Sequence, residues 1–95
     1  MEVEFDPEKS ARNEAERGLP FERAADLDWS RALVAVDDRR DYGETRYVAL
    51  VPLDGRLHFV CYVGTADPDT RRIISFRKAN QKEERHYEQA THDRR

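Results

Sequence analysis

The chain has 95 residues, enough for one domain and too few for a second hydrophobic core. Charged residues are 39% of it and hydrophobic ones 38%, with a net charge of −3, which excludes a uniformly basic nucleic-acid coat. No apolar run approaches the roughly 18–20 residues of a membrane span or resembles a secretory signal, and a single cysteine with scattered histidines gives no internal disulfide and no zinc-ligand spacing. The expectation is a small, soluble, cytoplasmic domain with no metal, no cofactor and no membrane association.

Val3 and Phe5 alternate with acids and predict a short first strand. Asp6-Pro7 then reads as an N-cap followed by proline at the first helical position. A charged helix over 7–17 ends at Gly18, with Pro20 beyond, and its apolar positions Ala11, Ala15 and Leu19 predict a narrow buried stripe. A second short helix is expected from 21 to about 28, burying Phe21, Ala24, Ala25 and Leu27. The period becomes extended from Ala32, giving strands over 32–36 and 46–51 on either side of a polar loop. Asp54-Gly55 between Leu53 and Arg56 is a hairpin turn. The strand over 57–63 should show Leu57, Phe59, Cys61 and Val63 on one face and His58, Val60 and Tyr62 on the other, with Cys61 a buried structural thiol. After Asp67-Pro68-Asp69 comes a last strand over 71–77, with Ile74 and Phe76 pointing one way and Ile73, Ser75 and Arg77 the other. Asn80 and Glu83 form a capping box opening a final helix, on which Glu83 and Tyr87 share a face.

The order β-α-α-β-β-β-β-α, with short turns between consecutive strands, predicts an α+β fold: an antiparallel sheet of four to five strands with helices packed against it. One domain spans 1–95, with its core at about 3–88 and a flexible tail over 89–95.

The mild net charge conceals a polar layout. Residues 1–30 carry −5, residues 31–70 carry −2 and residues 71–95 carry +4. The basic end contains Arg71, Arg72, Arg77, Lys78, Lys82 and Arg85 within fifteen residues, a set able to neutralise several phosphates or, equally, to form a solvated strand end and helix face. Metal-free RNA cleavage needs a base for the 2′-OH, a cation for the pentavalent phosphorane and an acid for the leaving 5′-oxygen. Arginine, lysine, glutamate and tyrosine can fill those roles, and all occur in the run from Arg72 to Tyr87.

The order and spacing of several segments together resemble the BrnT-type toxins of bacterial type II toxin–antitoxin modules. They are Phe5-Asp6-Pro7-Glu8-Lys9, Asn13, Gly18, Phe21 with Ala24-Ala25, and Gly43-Glu44-Thr45-Arg46. Further along come Asp54-Gly55-Arg56, Tyr62, and Arg72-Ile-Ile-Ser75-Phe-Arg77-Lys78-Ala79 followed by Glu83 and Tyr87. The resemblance covers roughly residues 4 to 88. It implies a RelE-like fold and a metal-independent endoribonuclease that cuts RNA and inhibits translation and growth. It also implies a cognate ribbon-helix-helix antitoxin in a hetero-oligomer that meets operator DNA only through the antitoxin. Carried over residue by residue, it makes Lys9, Arg46, Arg77, Glu83 and Tyr87 candidate catalytic residues and Arg72, Ser75, Lys78, Lys82 and Arg85 candidate RNA-binding residues. In that scheme Arg77 and Arg46 bind the scissile phosphate, Lys9 or Glu83 helps deprotonate the 2′-OH, and Tyr87 donates a proton or stacks on a base.

This chain departs from the family pattern at Glu16-Arg17-Gly18, where members commonly have Lys-His-Gly, at Phe76 in place of a small residue, and at Val51 in place of glycine. A guanidinium does not release its proton near neutral pH, so Arg17 can bind phosphate but cannot replace a histidine in proton transfer. The alternative expectation is therefore a catalytically weakened homologue that acts as antitoxin-binding partner and corepressor.

Overall fold

A computed structural model of the chain describes residues 1–92. Its fold is α+β. Strands β1 (Glu2–Glu4), β2 (Leu33–Asp37), β3 (Arg46–Leu53), β4 (Arg56–Gly64) and β5 (Thr70–Lys78) form one sheet in the order β1-β5-β4-β3-β2. Neighbours from β2 to β5 are antiparallel, as consecutive strands joined by turns must be, whereas β1 runs parallel to β5 and makes the sheet mixed. Helix α1 (Pro7–Arg17) follows β1, and α2 (Gln81–His92) closes the chain. That helix continues past residue 88, and positions 93–95 of the expected tail lie outside the described residues.

The expected second helix is instead two 3₁₀ segments, Phe21–Asp26 and Trp29–Arg31. A period of three residues stacks i on i+3, so Phe21, Ala24 and Leu27 enter the core in line while Ala25 is left exposed. These residues pack on one face of the sheet against Ala49, Val51, Leu53, Val60, Tyr62, Ile73 and Phe76. Ring edges extend the core outward: Phe21 meets Phe5 and Tyr62 meets Trp29, both T-shaped.

Helix α1 presents a polar stripe, not the alanine stripe its sequence suggested: Ala11 and Ala15 are exposed, Ser10 is buried and Asn13 half-buried. The reason is that α1 meets main chain. Ser10 Oγ accepts the Phe21 N–H at 2.9 Å, and Asn13 Nδ2 donates to the carbonyls of Leu19 (2.7 Å) and Phe76 (2.9 Å). Phe76 lies on the stretch of β5 that β1 does not reach, so Asn13 satisfies an acceptor that strand pairing leaves open.

The β3–β4 hairpin turns on Asp54 (φ 50°) and Gly55 (φ 77°), with Leu53 paired to Arg56, the two-residue left-handed turn read from the sequence. No atom lies within 4 Å of a Cβ placed on Gly55, so Gly55→Ala isolates the backbone cost. It is expected to destabilise the domain by about 1–2 kcal/mol in chemical denaturation.

Between β4 and β5 the register slips by one. Cys61 pairs with Ser75 and Tyr62 with Ile73, leaving Ile74 as an extra residue. Strict alternation would set Ile74 beside Phe76; the bulge instead puts Ile73 and Phe76 together in the core, 2% and 1% exposed. Sequence periodicity carries no sign of such an insertion.

Candidate functional site

The sheet face opposite the core collects much of the chain's charged chemistry. Directly paired residues share a face, so the register lays out rows across the strands. The first row is Asp37, Arg46, Val63 and Arg72; the second is Ala35, Val48, Cys61 and Ser75; the third is Leu33, Leu50, Phe59 and Arg77. Arg72 and Arg77 are five residues apart and would point to opposite faces of a regular strand; the bulge at Ile74 brings both, with Ser75, onto this one.

Helix α2 crosses the third row. Glu83, Tyr87 and Ala90 share one face of the helix and are half-buried, while Lys82 and Arg85 are exposed. The capping box forms as expected: the Glu83 N–H donates to Asn80 Oδ1 at 2.8 Å, and the Asn80 N–H to Glu83 Oε1 at 2.9 Å. The same carboxylate takes a forked pair from Arg77, at 2.8 and 3.0 Å. Arg77's guanidinium lies 4.2 Å over the Phe59 ring and also donates to the Lys78 carbonyl. Arg77 beside it is the main reason that the Glu83 carboxyl stays below its ordinary range, with the Asn80 N–H adding to the effect against burial. The Tyr87 hydroxyl donates to the Arg31 carbonyl at 2.8 Å, tying the middle of α2 to the approach to β2. Between helix and sheet remains a cleft of about 170 Å³, floored by Leu33, Ala35, Val48, Leu50 and Phe59, with Glu83 and His86 on the helix side.

At the other end of this face, Arg46 lies 4.1 Å over the Tyr42 ring, its Nε 3.5 Å from Glu44 and without a hydrogen bond. The Tyr42 hydroxyl donates to Asp37 at 3.1 Å, and Arg39 donates to both carboxylate oxygens. Those bonds, Arg39's first, hold the Asp37 carboxyl at about 2. Because that value lies below the ordinary 3.8, Asp37 contributes stability that is complete above about pH 4 and is lost as pH falls towards 2. Asp37→Asn should therefore flatten the loss of thermal stability across that interval in a pH series of melts.

Lys9 is exposed on α1, and no hydrogen bond or ion pair joins it to the other candidate residues among the described ones. Cys61 itself is buried, and burial pushes its thiol up, which makes it the inert structural cysteine expected. Lys78 pairs with His58 and so emerges on the opposite face from Arg77. Arg46 and Arg77 also stand apart: their partners Val63 and Phe59 are four residues, about 13 Å, apart along β4. The two arginines suit different points of an extended polyanion. His58 is a core histidine, its Nδ1 2.8 Å from the Arg56 carbonyl and its pKa lowered first by burial.

Phe59 and Tyr42, which carry the two arginine platforms, were not singled out from the sequence. Phe59 could be placed beside Arg77 only with the register across the bulge, and Tyr42 sits in a loop without periodicity. Arg71 likewise turns to the core side, 4.3 Å over Trp29 and 5.0 Å over Tyr62.

In comparison with known families, the family described as "Ribonuclease toxin, BrnT, of type II toxin-antitoxin system" matches residues 5–83. No curated protein matches the chain. No helix among the described residues is long and apolar enough to cross a membrane.

Proposed function

From the premise that this chain belongs to the BrnT family of type II ribonuclease toxins, we propose that it is a metal-independent endoribonuclease. It cuts RNA, thereby inhibiting translation and growth, and is neutralised by a cognate ribbon-helix-helix antitoxin. The observation that carries this reading is the single face on which the bulge gathers Arg72, Ser75 and Arg77 with Arg46. Cations spread along a half-apolar sheet suit a single strand of nucleic acid better than one isolated phosphate.

In this reading Arg77 stabilises the charge that builds on the phosphorane, in an orientation fixed by the Glu83 fork and the Phe59 ring. A carboxylate held below its ordinary range is a weak proton acceptor, so Glu83 acts as a positioning residue for Arg77. Proton transfer then falls to Lys9 and Tyr87, while Arg46, Arg72 and the outward-facing Lys82 and Arg85 guide flanking phosphates. Ser75, opposite Cys61 between the two arginine rows, lies where it can donate to a phosphate oxygen.

The second reading, a weakened homologue that binds antitoxin and acts as corepressor, draws support from three features. Arg17 stands exposed at the end of α1, the Glu83 carboxylate already holds Arg77, and the Tyr87 hydroxyl already has an acceptor. The two readings part on incubation of purified protein with cellular RNA in EDTA. Discrete cleavage products are expected, together with growth arrest on induced expression without antitoxin. Intact RNA and normal growth at verified expression would leave only the second reading.

A further inference from the structure

We infer that the cleft between α2 and the sheet seats one unpaired nucleobase of the RNA strand and selects bases that carry an exocyclic amino group. The inference rests on the ribonuclease reading and adds to it how sequence is read.

At about 170 Å³ the cleft is well below the roughly 300–1,000 Å³ of pockets for drug-sized ligands, and suits a single flat ring system. Its floor is apolar, made by Leu33, Ala35, Val48, Leu50 and Phe59, which offers a base contact surface but no competing polar partners. Charge argues for a nucleic acid as the occupant. Arg77 stands in the same row as the floor residues Leu33, Leu50 and Phe59, and Arg46 and Arg72 lie two rows away on the same face. A strand whose backbone follows those cations brings a base to the cleft mouth, and single-stranded RNA is read through such splayed bases.

The rim supplies the selection. An ionised carboxylate has about four acceptor positions. On Glu83 three of them are occupied: Oε1 by Arg77 and the Asn80 N–H, Oε2 by Arg77. The remaining position, on Oε2, can accept from an amino group, as carboxylates accept from cytosine N4. Uracil presents no such donor. His86, exposed on the adjacent turn of α2, is the second polar group at the rim.

The test uses full-length protein and 2′-O-methyl heptanucleotides, which lack the 2′-OH nucleophile and are not cut. Affinities for the oligocytidine, oligoadenosine, oligouridine and abasic phosphodiester heptamers are measured by fluorescence anisotropy. Wild type is expected to bind the cytidine or adenosine heptamer about tenfold or more tightly than the abasic one, with the uridine heptamer between. Ala35 is an exposed edge-strand residue, so Ala35→Phe fills the cleft from its open side without touching the core, and a thermal melt checks its folding. That variant should lose the base-dependent advantage and retain the abasic affinity. His86→Ala, a surface change, should alter the ranking among bases while leaving the abasic heptamer unaffected. Equal binding of base-bearing and abasic heptamers by wild type, an Ala35→Phe variant that keeps the full advantage, or uridine bound as tightly as cytidine and adenosine each overturns the inference. RNA cleavage with any of these results leaves the ribonuclease reading standing. Failure to bind any heptamer, with no cleavage of RNA, removes both.

Discussion

Arg77→Ala is expected to lower RNA cleavage by about 10²–10³-fold, the range seen when one preorganised donor to a developing oxyanion is removed. Stability should change little. The Arg77–Glu83 pair is part-exposed, 30% and 21% at the side chains, and such pairs contribute only about 0–1 kcal/mol at a surface. Glu83 would keep its bond from the Asn80 N–H and so continue to cap α2. Arg77→Lys separates charge from geometry: it retains the cation but loses the fork to Glu83 and the flat stacking on Phe59. Its rate should lie nearer to that of alanine than to that of wild type. The measurement is single-turnover cleavage of labelled RNA in EDTA, with melting temperatures alongside. Wild-type rates in Arg77→Ala would remove Arg77 from the chemistry.

The largest effect on folding is expected from Phe76→Ala. Phe76 is 1% exposed and among the largest fully buried side chains, and truncating such a residue costs about 3–5 kcal/mol. Against a total of about 5–15 kcal/mol for a small domain, that consumes much of the margin. Its ring fills the place between β4 and β5 and lies 5.6 Å from the His58 imidazole. A urea titration should show a lowered midpoint with an unchanged slope. A midpoint within experimental error of wild type would mean that the surrounding core closes over the space without loss.

Much of this architecture was legible because local signals are strong: the Asp6-Pro7 start, the Gly18 stop, the Asp54-Gly55 turn and the Asn80–Glu83 capping box all form where residue chemistry placed them. The errors arose where the rule used was periodicity and a neighbour overrode it. Ala25 is exposed because the segment winds as 3₁₀; Ala11 and Ala15 are exposed because α1 covers main chain through Ser10 and Asn13. The parallel pairing of β1 with β5 joins strands distant in sequence, which no turn announces. For the candidate site, residue types and the shared face of Glu83 and Tyr87 could be read in advance. The distance between Arg46 and Arg77 and the Phe59 seat beneath Arg77 depend on register, which one slipped residue in β5 sets, while the Tyr42 seat beneath Arg46 belongs to a loop.

That slipped residue also gives β5 a position whose loss would not turn the faces of the strand, which point substitutions would not reveal. Deleting Ile74 would remove the bulge and restore strict alternation while leaving Phe76 on the core face and Ser75 and Arg77 on the other. A substitution at Ile74, half-exposed as it is, leaves the count intact. In a library that samples both kinds of change, position 74 should accept many side chains and should also tolerate removal.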